Sequence, residues 1–376
     1  MGDDASAIVV GAGVFGAATA LALTRRGWRV TVLERATPGH VGASSGGDSR
    51  LLRSSHGGER YYTQLAWDGR SAWRALEADA GREVLVETGI VWFARDERGW
   101  EADSAQVCAE LGIPVERVDG DRVAELFPSV RIDDLAFGLW EPHAGVLRAR
   151  VGVQAMVDLA VREGATVRTG VTARAVAGGA VDAGDGPQWA DRTIWACGPW
   201  LSALFGDRLG LTVTQQDACY FTTSAQWRAD RVPAWVDFAG AAYGTGDLDG
   251  HGFKCSTDRQ GPPFDPDRDD RMPLPAHLDA AREILAHRFP ALAGAPLAGT
   301  RTCQYTTTAD TEFLIAPLDT EEVWVAGGGS GHAFKHGPAL GELVADMVDG
   351  SRKPDARFAL SARTPSGSLR TAGHRG

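Results

Sequence analysis

The chain has 376 residues and a formal net charge of −11 at pH 7. Its length exceeds the ~250–300 residues at which single cores stop growing, so two domains are expected. The acidic balance without a basic stripe argues against nucleic acid and anionic membrane as partners, and no apolar run reaches the ~20 residues of a membrane span.

The acidic start, Met1-Gly2-Asp3-Asp4, is not a signal peptide and leads straight into a β-branched run, Ile8-Val9-Val10. That run is followed at once by Gly11-Ala12-Gly13-Val14-Phe15-Gly16, a GxGxxG motif, then by an apolar helix from Ala17 to Leu23. A second strand, Arg29 to Leu33, ends at Glu34. The three glycines serve different physical ends. Gly11 permits a tight turn, Gly13 lets backbone approach a pyrophosphate, and Gly16 lets helix pack on strand. The helix N-terminus offers unpaired N–H groups to phosphate, and Glu34 stands where a carboxylate accepts ribose hydroxyls. The acid favours FAD or NAD over NADP without separating those two.

A Gly- and Ser-rich loop, 36–48, leads into Ser49-Arg50-Leu51-Leu52-Arg53. On a helical turn Arg50 and Arg53 would share a face. Apolar periodicity predicts a helix over 61–81, a strand over 88–94, a helix over 100–126 and a short strand over 136–140. His143, beside the turn that follows, reads as structural. A helix over 153–164, a strand pair within 166–176 and a buried strand ending at Cys197-Gly198-Pro199 return the chain to the nucleotide domain. A β-rich stretch from Thr212 to Asp258 precedes a Pro- and Asp-rich linker, 261–275. A helix over 278–289, a buried strand over 323–326 ending in Gly327-Gly328-Gly329-Ser330-Gly331-His332, and a helix over 338–347 complete the pattern.

The expected class is therefore α/β with two domains. A Rossmann-like nucleotide domain is assembled from segments 1–85, 145–212 and 296–360, and an antiparallel β-sheet substrate domain from 86–144 and 213–295. Residues 361–376, almost without large apolar side chains, read as a disordered tail. Five cysteines, an odd number without metal-ligand spacing, suit a reducing cytoplasm and imply neither disulfides nor a metal. Of 38 basic residues only Lys254, Lys335 and Lys353 are lysines. In so arginine-rich a chain, a remaining lysine marks a place where a compact, titratable ammonium is useful.

Four stretches together resemble the monomeric sarcosine oxidase and N-methyltryptophan oxidase group of the D-amino-acid-oxidase-like flavoproteins. They are the GxGxxG motif with Glu34, the segment 47–53, Arg301-Thr302-Cys303-Gln304-Tyr305-Thr306, and the segment 329–335. The resemblance implies FAD held by Gly11, Gly13, Gly16, Glu34, Arg35, Ser44, Ser45, Ser49, Arg50, Val171, Gly329, Gly331, His332 and Lys335. It implies a thioether from Cys303 to the flavin, a role suited to a thiolate nucleophile. Arg50 matches an arginine over the flavin ring, and Arg53 with Lys335 match a pair that grips the substrate carboxylate. Tyr243 and Tyr305 match pocket aromatics, and Lys254 a lysine that promotes electron transfer to oxygen. This sequence departs from the family pattern where Ser45 and Gly46 replace a histidine pair and Asp258 replaces a pocket histidine. Sarcosine itself is therefore disfavoured, and Asp258 becomes a candidate for handling the amine proton.

The implied activity is oxidation of a secondary or cyclic α-amino acid, or of an N-substituted glycine, to an imine with release of hydrogen peroxide. The implied partners are a small amino acid and oxygen, acting on a monomer. The alternatives are a flavin-dependent 2-hydroxy-acid dehydrogenase, an oxidase of primary amino acids such as glycine or D-amino acids, or a nucleotide-binding protein without catalysis. The last leaves Cys303, Arg53 and Lys335 unexplained.

Overall fold

In the computed structural model, residues 5–361 and 363 are described. Most of the expected tail, 361–376, lies outside them. The chain opens with β1 (Ser6–Val10), α1 (Val14–Arg25) and β2 (Arg29–Glu34). It continues through β3 (Ser49–Leu52), α2 (Arg60–Ala80), β4 (Leu85–Val86) and β5 (Ile90–Ala94) to α3 (Trp100–Glu110), β6 (Glu116–Val118), α4 (Gly120–Glu125) and β7 (Phe137–Glu141). Next come β8 (Gly145–Arg148), α5 (Ala149–Arg162), β9 (Thr166–Thr169), β10 (Arg174–Ala175), β11 (Val181–Asp182), β12 (Pro187–Gln188), β13 (Arg192–Trp195) and α6 (Leu201–Phe205). The remainder is β14 (Thr212–Phe221), β15 (Ala234–Asp237), β16 (Ala242–Thr245), β17 (Phe253–Thr257), α7 (Pro275–Arg288), β18 (Leu297–Thr307), β19 (Leu314–Pro317), β20 (Val323–Gly327) and α8 (Gly337–Val348).

A six-stranded sheet has the order β19-β20-β13-β1-β2-β9, and only the edge pair β19–β20 is antiparallel. Its central strands are buried on both faces, which is why they read as continuous apolar runs. α1 is buried along its whole length except Arg25, and it packs against α5 and α8. Close approach there rests on a small residue: a Cβ on Gly341 of α8 would sit 2.3 Å from the Ala18 carbonyl oxygen of α1.

An eight-stranded sheet has the order β18-β14-β17-β16-β15-β5-β7-β6. The expected antiparallel sheet is in fact mixed, because β15 and β5, from distant segments, pair in parallel. Its core is aromatic, with Phe93, Trp227, Trp235, Phe253 and Phe289 all buried. A small sheet, β3-β8-β4, stands beside these two.

The structure corrects four local expectations. The helix over 100–126 is broken, since Gly112 takes a positive φ ahead of Pro114 and Asp119 caps α4 by accepting from the Arg122 N–H. The strand pair within 166–176 does not form. β9 pairs with β2, whereas β10 pairs with β11 in a separate sheet. Arg50 and Arg53 share no helical face because 49–52 is extended and hydrogen-bonded to β8. The boundary at 296 cuts ahead of β18, whose 297–307 register belongs to β14 and the larger sheet.

Candidate active site

The first β–turn–α unit forms as its residues require. Gly11 has φ +99° and its N–H donates to the Leu33 carbonyl at 2.8 Å. A Cβ there would meet the Ala196 carbonyl oxygen at 2.6 Å, and one on Gly16 would lie 1.8 Å from the Gly11 carbonyl oxygen. Gly13 caps α1 and faces only the Ser45 hydroxyl, 3.4 Å from where its Cβ would be. Ser45 Oγ accepts from the Val14 N–H at 3.0 Å, so the following loop secures the helix N-terminus. The Glu34 carboxylate accepts from the N–H groups of Ala12 at 2.7 Å and Ala36 at 2.8 Å. Each carboxylate oxygen retains a further lone pair for a hydroxyl.

These elements line a cavity of about 410 Å³. Gly11, Gly13, Glu34, Arg35, Ser44, Ser45, Arg50, Val171, Tyr305, Gly329 and Gly331 all reach it. The Arg35 guanidinium is paired with Asp267 at 2.8 Å and lies 4.5 Å over the Trp200 ring. Of the residues expected to hold FAD, Gly16, Ser49, His332 and Lys335 do not line it: Gly16 lies behind the turn, Ser49 is buried against Lys254, and His332 and Lys335 line a neighbouring cavity.

A second, smaller cavity of about 120 Å³ shares Ala43, Arg50, Tyr305, Gly331 and Phe334 with the first. It brings together Arg50 and Arg53 from the β3 segment, Tyr243 and Lys254 from β16 and β17, and Cys303 and Tyr305 from β18. His332 and Lys335, after β20, complete it with Asp258. Extended backbone explains how both arginines reach one site: they enter from β3 and its C-terminal end, not from one helical turn.

The Arg50 guanidinium donates to the carbonyls of Ser49 at 2.6 Å and Ser44 at 2.5 Å, and lies 3.6 Å from Cys303 Sγ. Arg53 donates to the Ser55 carbonyl and stacks 5.0 Å from the Trp92 ring. Burial brings Arg53 down to about 10. Lys335 Nζ donates to the His332 carbonyl at 2.7 Å; burial, then the neighbouring Arg53, pushes its ammonium well below the usual range. Lys254 Nζ lies 3.3 Å from Ser49 Oγ and 5.3 Å from the Tyr243 ring. Burial, then Arg50, lowers it to about 7. The Tyr243 and Tyr305 hydroxyls are 3.3 Å apart. The cluster crowds basic groups together, and a carboxylate placed among them would favour their charged forms.

Some lining residues escape a reading of the sequence. Trp92, Phe238, Gln216 and Arg301 also border the second cavity. Trp92 belongs to a strand buried on both faces, so nothing in its pattern separates a pocket wall from core. Arg301 is paired with Asp48 at 3.1 Å and would read as a surface ion pair. His143, expected to be structural, lies at the surface with Nδ1 3.1 Å from a Glu87 carboxylate oxygen.

Monomeric sarcosine oxidase of Streptomyces avermitilis is 30% identical over 365 residues, covering 91% of this chain and 92% of that one. N-methyl-L-tryptophan oxidase of Salmonella arizonae is 26% identical, with 91% and 94% covered. Among solved structures, NikD, an unusual amino acid oxidase essential for nikkomycin biosynthesis, superposes with a TM-score of 0.79 at 25% identity, covering 94% of this chain and 97% of its own. The family described as FAD dependent oxidoreductase matches residues 6–347, nearly the whole chain that builds both cavities, and the protein belongs to it.

Proposed function

We propose that the protein is an FAD-dependent oxidase of a secondary or cyclic α-amino acid or an N-substituted glycine. The observation that carries this reading is the junction of the two cavities. A glycine-lined nucleotide cleft opens at Arg50 and Tyr305 into a pocket holding two cations, Arg53 and Lys335. The residues fit FAD: Gly11 and Gly16 leave no room for a side chain, the Gly13 face is open, and Glu34 stands at the end of β2. FAD supplies the two-electron acceptor, and the protein supplies position and electrostatics.

In this reading Arg53 and Lys335 hold the substrate carboxylate and fix the amine-bearing carbon toward the first cavity. Tyr243 and Tyr305 wall the pocket. Loss of two electrons and two protons from the CH–NH unit gives an imine, which water hydrolyses. The electrons and protons reduce oxygen to hydrogen peroxide, with Lys254 favouring the negative charge that develops there and Arg50 the negative charge on the cofactor. Asp258, at the pocket wall, receives the amine proton or pairs with a cationic substrate.

Anaerobic bleaching of the flavin tests this against sarcosine, L-proline, L-pipecolate, cyclic imino acids, bulkier N-carboxymethyl amino acids, primary amino acids and two 2-hydroxy acids. Bleaching by a secondary amine, with peroxide on admitting air, is expected. Bleaching by hydroxy acids alone would overturn the reading.

In this reading the flavin is attached through Cys303, which lines the second cavity with Sγ 3.6 Å from Arg50, a residue that lines both. Yellow colour should stay with the denatured chain and be released in Cys303→Ser; colour retained in the variant would sink the attachment. We further place the enzyme in the cytoplasm as a monomer, with segments 1–85, 145–212 and 296–360 forming the FAD domain apart from β18. The five unpaired cysteines suit a reducing compartment. Sedimentation at twice 39.9 kDa would refute the monomer.

A further inference from the structure

Beside the second cavity lies a group of side chains that the oxidase reading leaves largely unused. His56 follows β3, while His332 and His336 follow β20, and one ring nitrogen of each lies within 4.8 Å of the other two. All three side chains are buried. Their hydrogen bonds assign tautomers. His56 Nδ1 is 2.8 Å from the Ser54 carbonyl oxygen, and His332 Nε2 is 3.0 Å from that of Thr311. A carbonyl only accepts, so those nitrogens carry the protons, and His56 Nε2 and His332 Nδ1 are bare lone pairs. Neither lone pair has a donor. His336 faces the Leu65 carbonyl, yet neither of its nitrogens reaches a hydrogen bond of ordinary geometry. Burial holds all three imidazoles well below the usual histidine range, which keeps each ring neutral with a lone pair not taken by a second proton.

Buried polar atoms without partners are uncommon, and four ring nitrogens on three neighbouring histidines call for an occupant. A ring N–H tied to a backbone carbonyl is also the way ligating histidines are oriented, with the opposite nitrogen turned to the metal. Packing limits how the rings move. His332 stacks 4.8 Å from Phe313 and meets Tyr62 edge-on at 4.9 Å, while His56 stacks 5.9 Å from His336.

We propose that His56, His332 and His336 form a site for one divalent d-block cation of the zinc class. Three imidazoles select zinc, copper or nickel over magnesium and calcium, which prefer oxygen. With Zn–N bonds of about 2.0–2.1 Å, ligand nitrogens in a tetrahedral site are about 3.4 Å apart, so closure needs each ring to move inward by about 1 Å or less. No further His, Cys, Asp or Glu joins the group among the described residues, which leaves the fourth position to water. Arg53 and Lys335 act on the same region and oppose a cation, with the buried Glu141 carboxylate in partial compensation. The site is therefore expected to bind zinc more weakly than a structural site would. His332 also borders the second cavity, so the metal would sit against the substrate pocket without depending on which substrate that pocket takes.

The flavin-loaded enzyme, freed of metal by chelation, is dialysed against micromolar zinc and its metal content measured, with thermal melts in zinc and in magnesium. One zinc per chain and a melting temperature raised by zinc alone are expected. His56→Phe and His336→Leu should each weaken zinc binding at least tenfold while the yellow colour is kept. Folded wild type that retains no zinc and melts unchanged overturns the proposal. So does equal zinc in wild type and a folded variant, because the metal then lies elsewhere. Should one variant fail to fold, the other and the wild-type measurement still decide.

Discussion

The two cavities meet at Arg50 and Tyr305 but are specified in different ways. The larger is shaped by backbone and by missing side chains: Gly11, Gly13, Gly329 and Gly331 line it, and Gly16 braces it from behind. The smaller is shaped by long charged and aromatic side chains drawn from distant parts of the chain. Steric specification is unforgiving, because an added atom meets backbone that has nowhere to go. Electrostatic specification is graded, since removing one charge leaves the others and changes affinity before it changes the fold.

That contrast is broken most severely at Gly16. A Cβ there lies 1.8 Å from the Gly11 carbonyl oxygen, a backbone atom, so no rotamer relieves the clash. Gly16→Val should cost about 3 kcal/mol or more and abolish flavin retention. The check is a melting curve together with absorbance of the purified protein. A yellow, normally stable variant would mean that the α1–β1 approach is not what holds the cleft open.

The same contrast explains what is legible in the sequence. Residues 8–34 carry the first cavity's turn, helix start and acid within a single β–α–β unit, so spacing alone places Gly11, Gly13 and Glu34. The second cavity has no such local signature. Lys254 and Lys335 stand out only because the chain is so poor in lysine, and Cys303 only through resemblance. Trp92 is invisible, because a strand buried on both faces hides a pocket wall among core residues. The β15–β5 pairing is equally hidden: strands joined in parallel from residues 90–92 and 234–236 leave no trace in either local pattern. The spacing of Arg50 and Arg53 points to them for an incorrect reason. Three residues apart suggests one helical face, whereas β3 delivers them in extended backbone. His332 and His336 carry the H-x3-H spacing of a zinc-ligand pair, but nothing local ties them to His56, which lies 276 residues before His332.

Within the smaller cavity, Arg53 and Lys335 are expected to differ. Arg53 stacks on Trp92 and offers a planar fork, while Lys335 spends one donor on the His332 carbonyl. Arg53→Met should therefore lower kcat/KM for flavin reduction by roughly a thousandfold, mostly through KM, with colour and melting temperature nearly unchanged. Lys335→Met should lose less. Stopped-flow reduction over a range of substrate concentrations separates the two. A larger loss at Lys335 would reverse their assigned order, and a joint loss of colour would mean that these cations support the fold as well as the substrate.

The smallest effect is also the most diagnostic, because one proton at Lys254 is expected to produce opposite pH trends. Burial and Arg50 lower its ammonium from the usual 10.5 to about 7, so the amine is protonated below that pH and neutral above it. If the ammonium assists oxygen reduction, flavin reoxidation slows as pH rises through that midpoint, and negative charge on the cofactor moves the limb upward without removing it. Stability runs the other way. Between about 7 and 10.5 the unfolded chain keeps a proton that the folded chain has lost, so this group makes folding more favourable as pH rises. Lys254→Met deletes both trends. Reoxidation should fall by roughly a hundredfold at neutral pH and lose its dependence on that ionisation, whereas reduction by substrate changes little. The melting-temperature difference between the variant and wild type should shrink from about pH 7 to about pH 9. Equal slowing of both half-reactions would remove Lys254 from the oxygen step, and a pH-independent difference in stability would show that its ammonium is not the group being suppressed by burial.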